Sequence, residues 1–102
     1  MARPKKIKTV NFEPDVIYFK PRAVPLSQLY EVELTIEELE TLRLNDIKKL
    51  SQEDAALRMH IHQSTFQRTL AKAREKITDA LVNGKAIKIQ GGNYKMRGGK
   101  IK

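Results

Sequence analysis

Apolar residues recur along the second half of the chain with a helical period. Phe66, Leu70, Ala73, Ile77 and Leu81 follow one another at steps of four, three, four and four. That spacing predicts one apolar stripe on a helix of about five turns, from about Gln63 to Val82. The opposite face carries Gln63, Ser64, Gln67, Arg68 and Lys72, with few acids before Glu75. Upstream, Ala55, Ala56 and Met59 give a shorter helix a small, close-packing face. Ser51 is its expected N-cap, with Asp54 placed to reach back in a capping-box-like arrangement. His60-Ile61-His62 is the break between the two. A short helix, a tight turn and an exposed amide-rich and basic helix form the helix-turn-helix plan.

The first half is less regular. Thr35 is the expected N-cap of another helix, with Glu38 at the capping-box position. Ile36, Leu39, Leu42, Leu44 and Ile47 give that helix a broad apolar face, and Glu31 to Leu34 is read as the lead-in to it. Leu26 to Leu29 is expected to make a short turn of helix after Pro25. Prolines at 14, 21 and 25 keep the region up to Val24 from being one long helix. Val10 and Phe12 alternate with polar residues, which predicts an extended segment. Val16, Ile17, Tyr18 and Phe19 are too apolar for a free linker and are expected to fold back on the helices. Core packing is the preferred role for Tyr18 and Phe19, ahead of base stacking. Ala86-Ile87-Lys88-Ile89 reads as a short strand ending at Gly91-Gly92, with the stretch around Lys8 to Phe12 as its expected mate.

The expected fold class is therefore mainly α. A helix-turn-helix carries an extended N-terminal segment and a short two-stranded β element. Residues 1–9 are expected to form a basic flexible arm and residues 10–92 a single domain with the motif at 51–83. Residues 93–102 are expected to form a flexible basic tail.

Charge changes this picture more than composition does. The chain has 102 residues, 20 Lys and Arg against 12 Asp and Glu, and a net charge of +8. Residues 1–30 hold six basic and two acidic side chains, residues 31–54 three and eight, and residues 55–102 eleven and two. Acid is concentrated in one central block, while the exposed helix and both ends are basic. A polyanion is the natural partner of such a surface. The arm residues Arg3, Lys5, Lys6 and Lys8 suit phosphate contact, insertion into a minor groove, or a solvated terminus.

Other chemistries recede. The chain has no cysteine, which excludes disulfides, Cys-ligated zinc and thiol catalysis. It has no apolar run long enough for a transmembrane helix and no signal-peptide pattern, so a cytoplasmic location and no membrane partner are expected. Glu37, Glu38 and Glu40 crowd the first turn of a helix, where the dipole favours them. Capping and solubility explain them better than acid–base catalysis does. His60 and His62 are read as turn residues and not as a metal pair. Gly91-Gly92 and Gly98-Gly99 lack the following G-K-[ST] and helix of a phosphate loop. There is no nucleophile–base constellation. No enzyme activity, metal or cofactor is expected.

Leu50-Ser51-Gln52-Glu53-Asp54-Ala55-Ala56, then Met59-His60-Ile61-His62, then Ser64-Thr65-Phe66, resembles the helix-turn-helix of sigma-factor region 4. The whole chain resembles a narrower family of small prokaryotic proteins, UPF0251 or DUF134. The blocks that carry this resemblance are Arg3-Pro4, Phe12-Glu13-Pro14, Tyr18-Phe19-Lys20-Pro21, Leu34 to Leu44, Ser51 to Ala56, Ser64 to Arg68 and Asn83 to Gly92. The resemblance implies DNA binding by analogy with sigma region 4. There are departures. His60 and Lys49 stand where relatives usually have Gly, His62 where Ser commonly caps, and the N-terminal cysteines of many relatives are missing.

The expected function is sequence-specific binding of double-stranded DNA in transcriptional regulation, with the helix 63–82 in the major groove. Gln63, Ser64, Gln67 and Arg68 are placed for base edges, since Gln pairs with adenine and Arg with guanine. Ser64 has phosphate as its alternative, and Thr65 bonds locally or to the backbone. Lys72 and Arg74 are expected at phosphates, with Arg58 as a further backbone contact. A second copy of the chain and the transcription machinery are further partners to consider. The rival readings are an RNA-binding module and a protein-docking module that uses the acidic helix from Ile36 to Lys48.

Overall fold

Helices begin where side chains cap them. The computed structural model describes residues 7–96. In it α1 spans Ile36–Leu42. The Thr35 hydroxyl accepts from the Glu38 N–H at 3.2 Å, and the Glu38 carboxylate accepts from the Thr35 N–H at 2.9 Å. This reciprocal pair is the expected capping box. Helix α2 spans Gln52–Arg58 and opens on Ser51, whose hydroxyl accepts from the Asp54 N–H at 3.0 Å. Helix α3 runs for 21 residues, Gln63–Asn83. It ends at Gly84, whose φ of 64° is a left-handed stop that glycine adopts without a Cβ penalty. Lys49 and His60 take positive φ, 62° and 56°, at the two turns that flank α2.

The helical face departs from the simple pattern in two places. After Leu42 the chain widens into a π-type turn, Arg43–Ile47. The extra residue per turn rotates the register, so Leu44 is buried while Ile47 is 72% exposed. On α3, Phe66, Leu70 and Ala73 are buried as expected, but Leu81 is 76% exposed and Ala80 takes the inward position. Ala80 lies seven residues after Ala73, close to two full helical turns, and Leu81 is one residue further round. Around this stripe the core gathers Ala55, Ala56, Met59 and Ile61 from α2 and its turn. Val10, Leu34, Ile36 and Leu44 complete it from the first half, with Ile89 from the strand that follows α3.

The β structure differs from the expected ribbon. Among the described residues there are five strands: β1 Lys8–Val10, β2 Tyr18–Phe19, β3 Glu31–Leu34, β4 Ala86–Ile89 and β5 Tyr94–Met96. Strand β4 does not pair with β1. It is the centre of a three-stranded sheet, antiparallel to β2 and parallel to β3. The register sets Val32 beside Ile87 and Leu34 beside Ile89. These four apolar residues share one face, and that match makes Glu31 to Leu34 a strand instead of a lead-in to α1. Strand β1 pairs in parallel with β5, Lys8 beside Tyr94. Strand β5 lies past position 93, where the basic tail was expected to begin, and β1 starts before position 10, where the domain was expected to begin. Lys8 and Thr9 are buried, and the Lys8 ammonium meets Glu37 Oε2 at 3.0 Å.

The apolar segment between Val16 and Phe19 is held by backbone pairing with β4 and does not bury its side chains on the helices as expected. Strand β2 has two residues at a sheet edge, and Val16, Ile17 and Phe19 remain more than half exposed. The Tyr18 hydroxyl donates to Glu31 at 2.6 Å, which raises its pKa above the usual tyrosine value.

Candidate functional site

The outward side of α3 is built by what its inward side must bury. With Phe66, Leu70 and Ala73 fixed on the core, about 100° per residue decides where every other side chain stands. Gln63, Gln67 and Arg74 lie along one flank. Ser64 and Arg68 lie near the middle of the solvent face, with Ala71 toward the first flank and Lys72 on the other. Gln63, Ser64, Gln67, Arg68, Lys72 and Arg74 are all exposed. Thr65 is half-buried, and its carbonyl accepts from the Thr69 hydroxyl at 2.8 Å. Arg58 is exposed in the last turn of α2. Arg3, Lys5 and Lys6 lie outside the described residues.

The N-terminal end of α3 is electropositive by omission. Its first turn holds no acid, and its N-cap, His62, makes no side-chain capping bond. The first N–H groups of a helix have no intrahelical partner, so this end presents donors and positive dipole together. The preceding turn is pinned by β1. The Thr9 N–H donates to the Met59 carbonyl at 3.1 Å, and Thr9 Oγ1 and His60 Nδ1 are 2.9 Å apart. That bond gives His60 the turn role read from the sequence.

Arg74 is engaged. Its guanidinium donates to Asp46 at 2.6 Å and to Asn45 at 3.1 Å, tying α3 to the π-type turn. A salt-bridged Arg74 offers less charge to a phosphate than Lys72 does, and Lys72 has no acidic partner among the described residues.

Beside the Lys72 flank lies a cleft of about 650 Å³, walled by α3, the start of α1 and the turn at Gly92. Arg68, Lys72 and Lys76 line it from α3, facing Thr35, Glu37 and Glu38. The Lys76 ammonium meets Glu38 Oε1 at 2.8 Å. Sequence reading missed Lys76 and this cleft. The signal was the four-residue spacing of Arg68, Lys72 and Lys76, but the α1 side of the facing wall lies at least 30 positions away in sequence.

The acids of α1 do other work than solubility. Glu38 and Glu40 are buried. Glu40 accepts two bonds from the Arg43 guanidinium, at 2.7 and 2.9 Å, and a third from the Asn11 N–H at 2.8 Å. The hydrogen bond to Glu40 holds the Arg43 pKa above its ordinary value.

The family model described as "Protein of unknown function DUF134" matches residues 1–97. A UPF0251 protein of Caldanaerobacter subterraneus is 55% identical over 98 residues, covering 96% of this chain and 83% of the relative. Another, from Desulfosudis oleivorans, is 56% identical over 94 residues, 92% of this chain and 68% of the relative. A third, from Moorella thermoacetica, is 53% identical over 102 residues, 100% of this chain and 68% of the relative. No solved structure matches significantly.

Proposed function

The chain belongs to the DUF134 (UPF0251) family, and we propose that it binds double-stranded DNA in a sequence-specific way and regulates transcription. Helices α2 and α3, with their four-residue connection, act as a helix-turn-helix of the sigma-region-4 kind, and α3 enters the major groove by its N-terminal end. The observation that carries this reading is the solvent face of α3. From Gln63 to Arg74 it holds amide, hydroxyl and cationic side chains and no acid, on a helix whose other side is locked into the core.

The roles follow from position. Gln63, Ser64 and Gln67 stand foremost toward base edges, and Gln can bond adenine through two atoms. Arg68 stands at the border between base edges and the strand backbone. Lys72 meets phosphate, and Arg58 approaches backbone from the end of α2. Arg74 supports α3 through Asp46. The acidic helix is a poor docking surface for a basic protein, because Glu37, Glu38 and Glu40 are already held by Lys8, Lys76 and Arg43.

The test is a titration of the full chain against duplex DNA, single-stranded RNA and duplex RNA at several salt concentrations. Duplex DNA is expected to bind most tightly, with a log K against log salt slope of about −0.9 per neutralised phosphate. Equal or tighter binding to either RNA would contradict the reading. Within the DNA complex, Gln67→Ala is expected to relax preference at one base pair and to weaken specific binding by about 1–3 kcal/mol.

A further inference from the structure

The cleft beside α3 holds more positive charge than its own carboxylates use. Arg68, Lys72 and Lys76 form one row at four-residue steps along the helix. Glu37 is engaged at both oxygens, Oε2 with the Lys8 ammonium and Oε1 with the Asn93 N–H. Glu38 Oε1 accepts from Lys76 and from the Thr35 N–H. Arg68 and Lys72 line the same space, are exposed, and have no acidic partner among the described residues. The facing wall is polar and close-fitted. Thr35 Oγ1 accepts from the Glu38 N–H, which leaves its hydroxyl proton to donate. Gly92, at φ 105°, has no room for a side chain, because a Cβ there would stand 2.8 Å from Glu37 Oε1 and 3.1 Å from Thr35 Cβ.

We propose that this cleft is a phosphate seat. The Arg68 guanidinium grips two oxygens of the phosphate group, Lys72 supplies a second full charge, and the Thr35 hydroxyl donates from the opposite wall. An Arg68 so placed is withdrawn from base edges, and base reading falls to Gln63, Ser64 and Gln67. The same chemistry has two sources, a backbone phosphate of bound DNA or a free phosphorylated ligand. Only the first source rests on the DNA-binding reading.

The test is a titration of the isotope-labelled full chain with inorganic pyrophosphate, with ionic strength held constant by sodium chloride and backbone amides followed by NMR. Saturable shifts are expected at Thr35, Gly92 and Asn93. Affinity is expected to fall about tenfold in Lys72→Ala, which removes one charge-assisted hydrogen bond, by at least as much in Arg68→Ala, which removes two, and to be unchanged in Lys20→Ala. The same spectra report that each variant is folded. A titration that does not saturate, or saturates alike in wild type and both cleft variants, overturns the proposal. A second arm repeats the titration with duplex DNA bound. Loss of pyrophosphate binding assigns the seat to a backbone phosphate, and unchanged binding assigns it to a free ligand. If pyrophosphate saturates but no duplex binds, the DNA reading fails and the seat stands. If duplex binds and pyrophosphate does not saturate, the seat alone fails.

Discussion

Glu40 shows how much one residue can hold. Only 2% of its side chain is exposed, yet it carries a charge that joins α1 to the N-terminal segment. Arg43 completes the join, with its guanidinium 5.6 Å from the centre of the Phe12 ring. Glu40→Ala leaves Arg43 and the Asn11 N–H without their acceptor, and is expected to destabilise the fold by about 3 kcal/mol, read from denaturant unfolding. An unfolding midpoint unchanged from wild type would show that solvent replaces the carboxylate at no cost. Asp79 makes a pH-dependent clip at the other end of the molecule. Hydrogen bonds from Lys85 and Asn83 hold its pKa below the ordinary 3.8. A carboxyl with a depressed folded pKa contributes its full stability above pH 3.8, and loses it as pH falls through the folded value. An NMR titration of the Asp79 carboxyl is expected to move back toward 3.8 in Lys85→Ala. At this scale the caps were legible in sequence, because Thr35 with Glu38, and Ser51 with Asp54, act across three residues. The Glu40 bond to Asn11 was not, because its partner is 29 residues distant.

Elements were legible in proportion to their own periodicity. α2, its turn and α3 could be read almost to the residue, since a buried stripe with capping signals at its borders leaves little freedom. Strand β4 was legible to the residue and β1 in outline, but the other strands and the pairing of all of them were not. Strands β2 and β5 have two and three residues, too few for an alternating pattern. Which strand meets β4 depends on matching Val32 and Leu34 with Ile87 and Ile89 across more than 50 residues. The π-type turn at Arg43–Ile47 was hidden as well, because a helical pattern gives no warning of one extra residue per turn. Phe66 is the element-scale test. It is fully buried where α3 meets α2 and α1, and Phe66→Ala is expected to cost about 3–5 kcal/mol. A thermal melt close to wild type would mean that α3 is not held by this stripe, and the orientation of its outward face would lose its basis.

Across the whole molecule, the fold decides which charges reach the surface. Three acids of the central block, Glu37, Glu38 and Glu40, are turned inward onto Lys8, Arg43 and Lys76, which withdraws them from the surface, while Glu31, Glu33, Asp46, Glu53 and Asp54 stay exposed. The proposed DNA face could be read in sequence because it is a helix surface. The cleft on its flank could not, since α1, α3 and the turn at Gly92 meet only in the fold. Deleting residues 1–6 leaves Lys8 and β1 in place while removing Arg3, Lys5 and Lys6. That deletion is expected to shrink the salt slope of DNA binding by about 0.9 for each phosphate no longer neutralised, without altering the preferred bases. The central claim is the proposal that the face of α3 carrying Gln63, Ser64 and Gln67 reads duplex DNA. Its most direct test is selection of bound sites from a random duplex library, run in parallel with wild type and Gln67→Ala. A defined consensus is expected for wild type, and loss of preference at one position for the variant. No enriched sequence, or the same consensus from both proteins, would contradict the claim.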